Sequence, residues 1–62
     1  MYVEVFHQVF GKIQGRAEKT HDGKGYWFES KMSKKPVVVT DEGYFKILSK
    51  EEVIKLKLKG VL

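Results

Sequence analysis

Without a single cysteine among its 62 residues, the chain has neither a disulfide framework nor a thiolate metal site, so side-chain packing alone must hold it. That length accommodates one domain, 1–62, and a core that is only marginally stabilising. Hydrophobic residues at 42% and charged residues at 32% can build such a core and are too apolar a mixture for a disordered chain. The eight aromatics are its richest source of buried area, and most of them are expected inside.

The dominant periodicity is two, the signature of strands. Val3, Val5, His7 and Val9 share one parity and Tyr2, Phe6 and Phe10 the other, which predicts a central strand apolar on both faces. Gly11 and Gly15 flank Lys12-Ile13-Gln14 and predict a bend in a long first strand. The turn formers between Glu18 and Gly25 predict an exposed hairpin loop, followed by a strand over Tyr26–Ser30 with Tyr26 and Phe28 on one face and Trp27 and Glu29 on the other. Pro36 leads into the β-branched run Val37-Val38-Val39-Thr40. Asp41-Glu42-Gly43 then predicts a tight turn with Gly43 at positive φ, pairing Tyr44–Leu48 with that run as a hairpin.

Ser49-Lys50-Glu51-Glu52 has the form of a capping box, so a helical turn is expected over about 49–53. Gly60 and the late lysines also match a helix that ends at Lys59. The alternation of Ile54, Leu56 and Leu58 with Lys55, Lys57 and Lys59 favours a turn followed by a final strand, in which the lysine row would keep an edge from pairing with other chains. The fold class expected is all-β: a small five-stranded barrel or strongly bent antiparallel sheet with one short helical turn.

This layout, from Val3 through the Ser49–Glu52 turn to Ile54–Leu58, resembles the SH3-like small barrels and their Sm-like relatives. The resemblance implies a binding module that presents loops and a curved sheet face to peptides, proteins or nucleic acids. Asp22-Gly23-Lys24 with Tyr26, and Glu52–Leu58 with Val61-Leu62, are in turn similar to parts of the phage inhibitors of uracil-DNA glycosylase. That likeness implies a protein-binding inhibitor, although that family is strongly acidic and this chain carries a formal charge of +4.

No catalytic or cofactor-binding constellation is apparent, and no enzyme is expected. His7 and His21 lack the spacing to other ligands that a zinc or general-base motif requires. His7 reads as a packing histidine, whereas His21, in the hairpin loop, could help grip a phosphate. The acid pairs Asp41-Glu42 and Glu51-Glu52 are accounted for by a turn and a cap, and the glycines do not form a phosphate-cradling motif. What remains is basic side chains interleaved with aromatics: Lys12, Arg16, Lys19 and Lys24 around the first bend and loop, Tyr26 and Trp27 directly after, then Lys31, Lys34 and Lys35. Cations that hold phosphates beside a ring that stacks on a base are the needs of a DNA or RNA groove. The competing reading makes Trp27 core and the lysines a solvated surface. A protein partner, or a homodimer through a sheet edge, is the alternative. The sequence has no leader-like start and no long apolar run, so a cytoplasmic protein without a membrane partner is expected.

Overall fold

In the computed structural model, which describes residues 1–33 and 35–62, the first alternating segment forms strand β1 (Tyr2–His7). Val3 and Val5 are buried, and Phe6 stands 61% exposed on the opposite face. Strand β2 (Gly11–Lys19) returns antiparallel to it, with Val5 opposite Ile13 and Val3 opposite Gly15. The long bent strand expected across Gly11 is therefore two strands joined by a tight turn. An imidazole makes that turn possible: His7 Nδ1 accepts the backbone N–H of Val9 at 3.0 Å and of Phe10 at 3.4 Å, and Gly11 takes φ +73°. The packing role read for His7 is a turn cap, with its ring 5.0 Å from that of Phe10.

Strands β3 (Tyr26–Glu29), β4 (Val37–Val39) and β5 (Phe45–Ile47) complete an antiparallel sheet in the order β4-β3-β2-β1-β5. β1 is interior, as its two apolar faces predict. The loop between β2 and β3 is the expected hairpin connection, closed by the pair Lys19–Tyr26.

The hairpin expected between β4 and β5 does not form. Although 41–44 turn, β4 pairs with β3, and β5 crosses to the far edge of β1. There Phe45 lies opposite Val5, and its ring reaches that of Tyr26, 4.8 Å away between centroids. Covering the core in this way is worth more than a local two-strand ladder would be. An inner-face contact between β3 and β5, which are not neighbours, shows that the sheet curls strongly. Among the described residues no ladder joins β4 to β5.

Gly43 correspondingly has no positive φ, and a Cβ there would meet nothing within 4 Å. Gly43→Val is therefore expected to change stability by less than about 0.5 kcal/mol. A thermal melt displaced by more than ten degrees would show that the backbone at this turn is drawn wrongly.

The core consists of Val3, Val5, Ile13, Ala17 and Phe28, with Tyr26, Val37, Val39 and Phe45 packed against it. Helix α1 (Lys50–Leu58) lies outside it with no buried residue, and it replaces the final strand expected over Ile54–Leu58. Its ends account for the replacement. Ser49 Oγ accepts the Glu52 N–H at 3.2 Å while Glu52 Oε1 accepts the Ser49 N–H at 3.2 Å, completing the capping box. At the other end Gly60, at φ +79°, donates its N–H to Lys57 O, and Val61 donates to Leu56 O at 2.9 Å, a Schellman closure. Both termini thus have their orphan groups met locally, which outweighs the strand-like alternation of leucine and lysine. Lys55, Lys57 and Lys59 accordingly belong to the last turn and cap of a helix, where they favour the dipole, and not to an edge strand. Ion pairing of Lys46 with Glu52 (2.9 Å), the Lys57 ammonium above the Tyr2 ring (5.1 Å) and a bond from Lys31 Nζ to Gly60 O (3.1 Å) tie the helix to the sheet.

Candidate functional site

Alternation along β3 sends Phe28 into the core and Trp27 outward, where it remains 49% exposed. Its cross-strand neighbours on that face are Val38 of β4, 55% exposed, and Glu18 of β2. The β2–β3 loop rises beside the ring, and together they enclose a groove of about 580 Å³ lined by Thr20, His21, Asp22, Lys24, Trp27 and Val38, with Gly25 and Thr40 at its margin.

The loop is ordered from within. Thr20 accepts the Gly23 N–H and donates its own N–H to Gly25 O, each at 3.0 Å. Asp22 Oδ1 accepts the Thr20 hydroxyl at 2.5 Å and the Lys24 N–H at 3.0 Å. Those two bonds, the hydroxyl's first, hold the Asp22 carboxyl below its ordinary pKa, so it is ionised at neutral pH. The loop thus presents a cation at Lys24, an imidazole at His21 and a carboxylate at Asp22 around one exposed indole.

The other side of Trp27 differs in character. A small cleft of about 120 Å³ there is lined by Arg16, Glu18, Trp27 and Glu29. Arg16 Nη2 is 2.6 Å from Glu18 Oε1, and Glu29 lies directly across the ladder, so this guanidinium is paired with one acid and faces a second. Farther along the outer face, the Lys12 ammonium lies 4.6 Å above the Tyr44 ring. Tyr44 in turn donates its hydroxyl to Glu4 Oε1 at 2.5 Å, and Gln14 donates to Oε2 at 2.6 Å; these bonds, Tyr44's foremost, lower the Glu4 pKa. On this face β2 thus sets Lys12, Arg16 and Glu18 beside Glu4 of β1.

The nine residues expected to bind therefore divide. Lys24 and Trp27 share the groove, whereas Lys19, exposed at the end of β2 opposite Tyr26, does not line it. Arg16 and Lys12 belong to the mixed-charge face. Lys31 lies at the helix end, where it lines a second groove of about 300 Å³ with Arg16, Tyr2 and Val61. Lys35 is exposed before β4, and Lys34 lies outside the described residues. Tyr26 leaves the site: its parity is that of Phe28, so its ring packs inward on Phe45. Sequence reasoning passed over Asp22 and Val38. Asp22 reads as a turn former, and Val38 becomes a wall of the groove only through the Trp27–Val38 register, which no local pattern states.

Among the described residues no three His, Asp or Glu side chains gather as metal ligands, and no helix is long and apolar enough to cross a membrane. Comparison of the chain with protein-family models, with curated proteins and with solved structures gives no match.

Proposed function

We propose that this chain is a non-catalytic basic binding module that takes single-stranded DNA or RNA in the groove beside Trp27. The observation that carries this reading is a half-exposed indole in one groove with Lys24 and His21, on a loop already ordered by its own hydrogen bonds. An exposed ring offers a stacking platform to any base, and the Lys24 cation beside it holds a flanking phosphate. The acids beside Arg16, Glu18 along its own strand and Glu29 across the ladder, repel a second phosphate track, which favours one strand over a duplex.

Anisotropy of a labelled oligonucleotide tests the assignment. For about three phosphate contacts, log affinity should fall against log salt with a slope near −2. Trp27→Ala should weaken binding by about 1 to 3 kcal/mol, and Lys24→Ala should flatten the slope by about one unit. Binding that ignores salt and survives both changes would overturn the assignment.

A protein-binding inhibitor or adaptor is the second reading, and the tip of the β1–β2 hairpin favours it. Phe6, Val9 and Phe10 are 61%, 77% and 44% exposed there, a group that a protein partner would cover. Capture of a lysate protein that persists after nuclease treatment, and is lost in Val9→Asp, distinguishes this reading from the first.

A further inference from the structure

Asp22 is the one anionic side chain lining the Trp27 groove, and the nucleic-acid reading does not use it, since as an anion it should oppose phosphate. Its Oδ1 is engaged by Thr20 and Lys24, and among the described residues no donor from another residue reaches Oδ2. A carboxylate oxygen has two lone pairs and no donor, and because Asp22 is exposed this one can exchange solvent for a donor that enters the groove it lines with Trp27. The bases differ sharply in what they offer it. Guanine places two adjacent donors, N1–H and the N2 amine, on its Watson–Crick edge. Adenine and cytosine pair one amine with a ring-nitrogen acceptor, and thymine and uracil flank one N–H with two carbonyls. A fixed acceptor attracts the first arrangement and is repelled in part by the others.

We infer that the Trp27 groove selects guanine, with the base stacked on the indole, its N1–H and N2–H donated to Asp22 Oδ2, and the adjoining phosphate held by Lys24. The inference rests on the nucleic-acid reading above and adds a base preference to it. The ionised state of Asp22 at neutral pH supplies the acceptor without an energetic cost for deprotonation.

Trp27 fluorescence, titrated with short oligothymidylates that carry one central guanine, inosine, adenine, cytosine or thymine, tests it. The guanine strand should bind about tenfold tighter than the adenine, cytosine and thymine strands. Inosine, which keeps N1–H and lacks the amine, should fall between, and this comparison leaves the protein untouched. Asp22→Asn keeps an oxygen for Thr20 and Lys24 but turns the free position into a donor, so the guanine preference should disappear with the melting curve in place. Equal binding of all strands would overturn the guanine assignment and leave the strand reading standing. No binding of any strand would overturn both. Guanosine monophosphate binding as tightly as the guanine strand, with no dependence on salt, would overturn the role given to the chain of phosphates and identify a nucleotide pocket.

Discussion

Gly15→Ala is expected to unfold the domain or lower its melting temperature by more than about 15 °C. In the middle of β2, opposite Val3, a Cβ at this position would press into the backbone of Glu29 on β3, lying 2.9 Å from its carbonyl carbon and 2.9 Å from Phe28 Cζ and closer still to the carbonyl oxygen. A flexible side chain could swing aside, but the Glu29 backbone is fixed by its ladder with Arg16. Relief would require β3 to leave the sheet or Phe28 to leave the core. Overpacking of this kind costs about 3 kcal/mol or more, the upper end for such changes, because backbone must move. A chain this short has a total stability of only about 3 to 5 kcal/mol. Circular dichroism of the variant decides the matter, and a melt within a few degrees of wild type would show that β2 and β3 do not approach as described.

Phe28→Ala should have an effect of the same order by the opposite route. Phe28 is 0% exposed and is the largest fully buried side chain, one of only five buried residues that form the core cluster. Its removal leaves a cavity that neighbours already committed to ladders cannot fill, at a cost of about 3 to 5 kcal/mol. Phe28→Leu, which retains most of the volume, should cost markedly less. If Phe28→Ala melts like wild type, the inward parity of β3 is wrong. Trp27 would then be the buried residue and the candidate groove would not exist.

How much of this was legible in the sequence depended on whether the deciding signal was local. Strands β3, β4 and β5 could be read from Tyr26–Phe28, Val37–Val39 and Phe45–Ile47, since alternation and β-branching act over a few residues. The β1–β2 turn was hidden because Gln8, Val9 and Phe10 carry no turn chemistry of their own; the acceptor that organises them belongs to His7, in the strand before. Helix α1 was half legible: Ser49 and Glu52 announced its start, whereas the leucine and lysine alternation pointed to a strand. With no buried residue, this helix has no apolar face to display, so periodicity could not report it and the caps alone decided. The crossing of β5 to β1 was not legible at all, for it depends on Phe45 meeting Tyr26 across the sheet. The same holds for the site. Lys24 and Trp27 are close in sequence and were found together, but Tyr26 faces inward and Arg16 is paired with Glu18 and lies opposite Glu29, facts of register and pairing that composition does not contain.

On the proposed function Trp27 is a stacking surface and not a core residue, and its own fluorescence tests this most directly because the chain holds no other tryptophan. Titration of the folded wild-type protein at low salt with single-stranded DNA and RNA should quench the emission and reach saturation. Raising the salt from about 50 to 200 mM should reverse most of that quenching as counterions compete for Lys24 and its neighbours. Emission unchanged by either nucleic acid at low salt, from a protein shown to be folded in the same buffer, would contradict the account and turn attention to a protein partner at the Phe6–Phe10 tip.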